Sequence, residues 1–376
     1  MVKTIIISVI SDLVTDQRVN RSAWALTKNG HRAVLVGRKL KKSIPLDRRP
    51  YKTFRFSLWF EKGFIFYATY NIRLFFYLLF HHADVLLAND LDTLPANYLV
   101  SKLKNIPLVY DSHEYYTGVP ELEYRPFIQK IWKTIEKFIF PQLTRICTVN
   151  DSIAKLYSDE YKKNIVVVRN ISDASFEKMN FDAQKLKAET GIDKNKKIII
   201  LQGSGINIER GAEEAVEAMK YVDNAVLLII GGGDVMPFLK EIVHQNNLEQ
   251  KVIFKDRMPY HQLMQYTLTA DVGLSLDKGT NLNYRFSLPN KLFDYIYANV
   301  PVLGSQVVEV KKIIDQYKIG STIENHNPVH IAEKLSFMLA DETRVREWKK
   351  NLEAAAKELT WAHEEKKFLT LFDGIL

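Results

Sequence analysis

The chain has 376 residues, 47% hydrophobic and 26% charged, with a formal net charge of +8. That length exceeds one modest domain and fits two of ordinary size, each able to bury a core, and the lack of low-complexity tracts argues against extensive disorder. The basic balance admits nucleic acid, anionic lipid or a phosphate-bearing small molecule as partner, but no zinc-knuckle spacing, RNP-type motif or arginine-rich helix supports nucleic acid.

Residues 4–10 form a β-branched run that reads as a first strand. Asp12 follows at once with no small-residue cleavage signal, so no export is expected. Residues 19–28 have helical spacing closed by Gly30-His31, and residues 33–37 read as a second strand, giving a βαβ opening. The aromatic stretch at 64–80 is interrupted by Asn71 and Arg73. It is expected as a buried core helix; the alternative is a helix lying in a membrane interface, because Arg48, Arg49, Lys52, Arg55 and Lys62 precede it. Short apolar runs at 84–88, 108–110 and 145–149 each lead into a polar turn and a helix, as in parallel sheets covered by helices. Cys147, the lone cysteine, sits in the last run and is expected to be buried in a strand of a protein kept in a reducing cytoplasm.

In such sheets ligand groups gather past the carboxyl ends of the strands. The polar residues there are Ser11, Asp12, Asp16 and Arg18; then Asn89, Asp90 and Asp92; then Asp111, His113 and Glu114. The three clusters are expected to share one edge. Asp90 and Asp92 have the spacing of a metal-binding pair, but a polar rim or a helix-capping role is favoured and no metal is expected. His113, between carboxylates at a strand end, is a candidate active-site residue. No Gly-x-Ser-x-Gly elbow occurs, which leaves nucleophilic hydrolysis without an anchor.

A second alternating series follows the charged segment 173–197, where the domain boundary is expected. A strand at 197–201 ends at Gly203, Ser204 and Gly205, and Arg210 follows; glycines permit close backbone approach and the guanidinium can bind phosphate oxygens in pairs. A strand at 225–230 ends at Gly231, Gly232 and Gly233, but Met236 stands where a dinucleotide fingerprint needs its last glycine. Asp256 follows the next strand, at 252–254. Past a strand at 271–276, Pro289 is expected as the first residue of a helix that Asn299 and Pro301 stop. Its open N–H groups offer an anion site to which Lys291 adds charge, and Asp294 lies one turn on, where a sugar hydroxyl would suit it; the alternative is an ordinary surface helix. Two helical stretches, 342–359 and 361–376, close the chain.

In order and spacing these residues resemble the retaining glycosyltransferases of the GT-B fold, family 4. The likeness rests on Val14 to Val19 with Gly30-His31, on Asp111-Ser112-His113-Glu114, on Gln202-Gly203 with Arg210-Gly211, on Gly231 to Asp234, and above all on Ser287-Leu288-Pro289-Asn290-Lys291-Leu292-Phe293-Asp294 with Val300-Pro301-Val302. The resemblance implies an α/β architecture of two Rossmann-like parallel-sheet domains facing a cleft: 1–172 for the acceptor, 173–358 for a UDP- or GDP-sugar, and a helix at 359–376 crossing back to the first. By position, Arg210, the residue 203–205 loop and Lys291 with the backbone of Asn290, Lys291 and Leu292 would hold the donor diphosphate, with Gly231, Gly233 and Asp256 on the same side. Asp294 would hold the ribose, and His113 would face the donor sugar. Asp16, Arg18, Asp90, Asp92 and Glu114 would line the acceptor side. Two departures stand out: Phe286 or Ser287 occupies the region of the family's first glutamate, and Arg210 stands where lysine is common.

The activity so implied is metal-independent hexosyl transfer with retention, needing no cofactor, to a glycan or lipid-linked acceptor in cell-surface polysaccharide synthesis. The basic, aromatic segment 48–80, in the half that would hold the acceptor, adds the expectation of peripheral contact with the inner face of an anionic membrane. The alternatives are a sugar-nucleotide epimerase of the same architecture and a non-catalytic nucleotide-sugar-binding protein.

Overall fold

A computed structural model describes residues 1–14, 16–43, 45–172 and 182–376. Thr15, within the motif at 14–19, and residues 173–181 of the expected boundary segment lie outside them. The chain divides into one unit of Met1–Asn170 with Ala362–Leu376 and a second of Ile171–Trp361.

The first unit is built on β1 (Thr4–Asp12), β2 (Arg32–Lys39), β3 (Lys52–Ser57), β4 (Val85–Asn89), β5 (Leu108–Ser112), β6 (Arg145–Thr148) and β7 (Val166–Val167), in the order β3-β2-β1-β4-β5-β6-β7. All neighbours run parallel. The order reverses between β1 and β4, so the connections leave their carboxyl ends in opposite directions and open a crevice there. Ile5, Ile7, Leu86, Leu87 and Val109 are buried, as strands covered on both faces require. Cys147 is buried in β6 opposite Asp111, and burial pushes its thiol well up.

Sequence reading missed β3. It is an edge strand carrying Lys52 and Arg55 among its aromatics, the composition that blunts open edges, and only Phe56 is buried. The aromatic segment is a helix, Phe64–Phe80, with one stripe in the core (Phe66, Tyr70, Leu74, Leu78). Tyr70 donates its hydroxyl hydrogen to the Val9 carbonyl at 2.6 Å, fixing the helix to the end of β1. Its opposite face is exposed, so the expectation of a buried helix holds for one side only. No described helix is long and apolar enough to cross a membrane.

The second unit holds β8 (Lys197–Gly203), β9 (Ala225–Gly231), β10 (Val252–Lys255), β11 (Val272–Ser275), β12 (Val302–Gly304) and β13 (Gly320–Thr322), ordered β10-β9-β8-β11-β12-β13, again all parallel. Alternate strand residues feed two cores: Ile199, Leu201, Leu227 and Ile229 on one face, Ile198, Ile200, Leu228 and Ile230 on the other. Here the order reverses between β8 and β11.

Helix Glu342–Glu358 buries Trp348, Leu352 and Ala355 in the second unit, while helix Trp361–Thr370, from Ala362 onward, begins the piece that belongs to the first. Phe368, Leu371 and Phe372 are buried, Arg145 donates to the Leu371 carbonyl at 2.8 Å, and Glu364 accepts from the Arg169 N–H at 2.8 Å. Phe368→Ala is therefore expected to destabilise the first unit by about 3–5 kcal/mol, measured by urea unfolding, with Phe337→Ala on an exposed site as a near-neutral control.

Candidate functional site

The crevice of the second unit is framed by the carboxyl ends of β8 and β11. Immediately past β11 lies Asp277, a residue that sequence reading passed over, with its side chain 1% exposed. Arg210, on the loop after β8, places Nη1 2.9 Å from Asp277 Oδ1, and Lys291, in the first turn of helix Asn290–Tyr297, places Nζ 3.2 Å from Oδ2. Burial by itself would raise the Asp277 carboxyl, but Lys291 and Arg210 outweigh it and hold it below its ordinary value. Burial would likewise lower Arg210, and the Asp277 charge more than offsets that. The guanidinium also lies over the Tyr284 ring at 4.2 Å. Two cations share one carboxylate, which leaves a net positive charge at the helix N-terminus.

Helix Asn290–Tyr297 starts one residue later than expected, because Pro289 is extended and acts as the capping residue. Asn290 is exposed and Lys291 half-buried. The Leu292 N–H does not join an open cradle: it donates to the Pro289 carbonyl at 3.1 Å. Asp294 points into the core, where it accepts from Gln202 Nε2 at 2.9 Å, Ser172 Oγ at 3.2 Å and the Tyr260 hydroxyl. A ribose would have to compete with Ser172 and Tyr260 for it. Before this helix a short turn, Leu282–Arg285, capped by Asn281, brings Tyr284 under Arg210, and Ser287 donates to the Tyr284 carbonyl at 2.9 Å.

The glycines divide into two kinds. A Cβ on Gly231, at φ 138°, would fall 1.8 Å from the Gly203 carbonyl, and one on Gly233 would fall 1.9 Å from that of Ile206. These two make room for the protein's own backbone, the physical reason for glycine there. A Cβ on Gly203 or Gly205 would meet only ordinary contacts, at 3.5 and 3.7 Å. Asp256 is exposed past β10, and it is its neighbour Arg257 that reaches this loop, donating to the Ser204 carbonyl. Arg257 and Ser204 are 53 residues apart, so nothing near either in the sequence signals that reach.

In the first unit the three polar clusters do share one edge. His113 donates its backbone N–H to Asp90 Oδ1 at 2.7 Å, and its ring lies 3.2 Å from Asp90 Oδ2, 3.4 Å from Asp111 Oδ2 and 3.1 Å from Asn89 Oδ1. Burial opposes its charge, yet Asp90 and Asp111 raise the imidazole to about 9, so it is a cation at neutral pH. Asp111 is held far below the carboxylate range, Arg18 and His113 overcoming its burial. Asp90 tolerates φ 59° here, a left-handed conformation that aspartate visits more readily than most residues.

Arg18 and Asp16 are committed internally. Arg18 is buried, contacts Asp111 at 2.6 Å and donates to the Val168 carbonyl at 2.9 Å; Asp16 accepts from the Val19 N–H at 3.2 Å and from Ser11 Oγ at 2.6 Å, capping helix Gln17–Lys28. Asp92 is buried, its carboxyl pushed well up by burial and by Asp90 and Glu114, and its Oδ1 has no hydrogen-bond partner among the described residues. Glu114 is half-buried, its carbonyl accepting from Ser112 Oγ at 2.8 Å. Both Asp90 oxygens lie on His113, one at its backbone N–H and one at its ring.

Two family models account for most of the chain: "Glycosyl transferases group 1" matches residues 182–355 and "Glycosyltransferase Family 4" matches residues 17–176. The chain belongs to the glycosyltransferases of this GT-B family. An uncharacterized glycosyltransferase of Methanocaldococcus jannaschii is 23% identical over 204 residues, 52% of this chain and 49% of that protein, so the match spans about half the relative's length. Among solved structures, sucrose-phosphate synthase from Thermosynechococcus elongatus aligns over 98% of both chains with a TM-score of 0.79 at 16% identity. Anabaena HepE, solved with UDP and glucose, aligns over 98% of both at 0.74 and 12%. At such identities these likenesses speak for the fold, two Rossmann-like parallel-sheet domains.

The His113 charge sets a pH dependence. A pKa raised from 6.5 to about 9 contributes stability that is complete below 6.5 and lost as pH rises through 9. Urea unfolding at neutral and strongly alkaline pH should show that loss in the wild type and a shallower one in His113→Gln. In a separate comparison, Gly231→Ala should lower stability by about 2 kcal/mol or more while Gly205→Ala stays near wild type.

Proposed function

We propose that the chain transfers a sugar from a UDP- or GDP-sugar to a glycan or lipid-linked glycan acceptor, with retention and without a metal ion. The observation that carries this reading is the convergence of Arg210 and Lys291 on one crevice of the second unit, beside the residue 203–205 loop and a helix N-terminus. Anabaena HepE, of the same fold, has been seen with UDP and glucose, which supports a nucleotide-sugar as donor.

As the bond from the anomeric carbon to the diphosphate breaks, negative charge grows on the leaving group and positive charge on the sugar ring. Preplaced cations and N–H groups lower that barrier because they need no rearrangement when the charge appears. In this reading Arg210 and Lys291 hold the diphosphate, and Asp277 keeps their side chains parked in the crevice until it arrives. Gly203 and Gly205 let the backbone approach phosphate, with Arg257 supporting Ser204. Asp294 acts through Gln202, fixing the end of β8. On the acceptor side, His113 as an imidazolium donates hydrogen bonds and does not remove a proton, with Glu114 and Asp92 as the nearby carboxyls.

Arg210→Ala and Lys291→Ala should each lower transfer by about a hundredfold or more, measured on UDP- and GDP-sugar panels with lipid-linked acceptors at a temperature where circular dichroism shows the variant folded, because either change also leaves Asp277 under-paired and lowers the melting temperature. Wild-type turnover in either variant would remove its role. A chelator should leave the rate unchanged, and a strict Mn²⁺ requirement would overturn the cation reading. Conversion of the nucleotide-sugar into an epimer without acceptor would favour an epimerase instead.

A further inference from the structure

Three helices of the first unit, Phe64–Phe80, Leu94–Lys104 and Pro126–Ile139, follow β3, β4 and β5. Right-handed crossovers put them side by side on one face of the sheet. The Tyr67 and Trp132 rings meet at 5.4 Å and those of Tyr98 and Phe138 at 6.2 Å, while Lys104 donates to the Leu78 carbonyl at 2.8 Å. Each helix turns one stripe inward. A water-facing helix should then be polar on the other side.

These are not. Ile72, Phe76 and Phe80 continue at helical spacing along the outer side of the first helix, Leu103 stands out from the second, and Phe127 and Phe138 from the third. Phe80 and Phe127 are 77% and 75% exposed, and Trp59, just before the first helix, is 85% exposed. Apolar surface gathered on adjacent elements marks an interaction site, unlike scattered single residues. The charges between these side chains are of one sign: Arg73, Lys102, Lys130 and Lys137 are exposed. The three helices contain a single acidic residue, Glu136, which is buried and paired with Lys133 at 2.6 Å.

We propose that this face docks the protein on the surface of an anionic lipid bilayer, its aromatic rings at headgroup depth and its lysines and arginines against lipid phosphates. No described helix can cross a membrane, so the contact is peripheral. A second copy of the chain is the poorer occupant, because a twofold contact would set Arg73, Lys102, Lys130 and Lys137 against themselves, with exposed acids only at the margin, Glu121 and Glu123. A bilayer with anionic headgroups supplies the missing charge and accepts the rings without needing a shaped partner. The inference does not depend on the sugar-transfer reading.

Sedimentation of the full chain with vesicles tests it without any turnover. Binding is expected to vesicles of phosphatidylcholine with a third phosphatidylglycerol at low salt, weakening at about 0.5 M salt and on phosphatidylcholine alone. Lys130→Glu with Lys137→Glu should weaken binding by roughly tenfold or more, and Ile72→Glu with Phe76→Glu should do the same while circular dichroism and melting temperature stay as in the wild type. These exposed residues lie outside the donor site, so sugar transfer to a soluble acceptor should persist in both variants. A wild-type chain that remains in the supernatant with anionic vesicles at low salt would overturn the proposal. So would a dimer in analytical ultracentrifugation that Ile72→Glu with Phe76→Glu dissociates, since that outcome gives the face to a second copy.

Discussion

The carboxylate of Asp277 is the constraint on which the second unit's crevice depends. Removing a carboxylate from water costs several kcal/mol unless counter-charges and hydrogen bonds replace the solvent. Arg210 and Lys291 do so from two different segments, the loop after β8 and the helix at Asn290–Tyr297. The same contact that makes the buried charge tolerable therefore sets the positions of both cations. Ser305 Oγ donates to the Asp277 carbonyl, and the Lys278 N–H donates to the Glu209 carbonyl at 2.8 Å, so the Asp277 segment is tied both to the end of β12 and to the loop bearing Arg210.

The first unit uses the same device with different members. Asp111, at the end of β5, is buried and takes Arg18 on one side and His113 on the other. The outcomes differ because the surroundings differ. Arg18 is enclosed and its remaining donors go to the Val168 carbonyl, which makes it a brace between β5 and the segment after β7. His113 keeps 18% of its side chain exposed and receives a second carboxylate from Asp90, which makes it a cation that still faces outward. One strand-end carboxylate thus yields a structural pair and a polarised, accessible group together.

Both sheets place their polar residues where strand order reverses, and in both the helices that follow are held by contacts outside those polar groups. Tyr70 bonds the Val9 carbonyl from helix Phe64–Phe80, and Tyr295 reaches the Leu274 carbonyl at 3.1 Å from helix Asn290–Tyr297. Tyr295 also fills the space that a side chain on Gly273 would need. Buried hydroxyls that find backbone partners fix helix position without drawing on the charged groups.

Much of the architecture was written locally. Runs of isoleucine, leucine and valine bounded by polar turns marked β1, β8, β9 and β11, and helical spacing ahead of Asn299 and Pro301 marked helix Asn290–Tyr297, because burial on both faces and backbone stops act on neighbouring residues. The edge strand β3 escaped, since its lysine and arginine answer to the danger of an open edge and not to the core. The loops bearing Arg210, Lys291 and His113 were legible too, as was the common edge of the three amino-terminal clusters. What each side chain meets there was not. Arg210 and Asp277 are 67 residues apart, and nothing near either one states that β8 and β11 lie side by side. The glycines at 231 and 233, placed on the donor side by resemblance, accommodate backbone from the adjacent loop, and Asp294 is enclosed, which no neighbouring residue announces. Sequence alone determined two parallel-sheet halves and which loops carry charge, because periodicity and turn chemistry are local. Only the tertiary structure decided which carboxylate each cation holds, because that depends on distances between strand ends that no stretch of sequence contains.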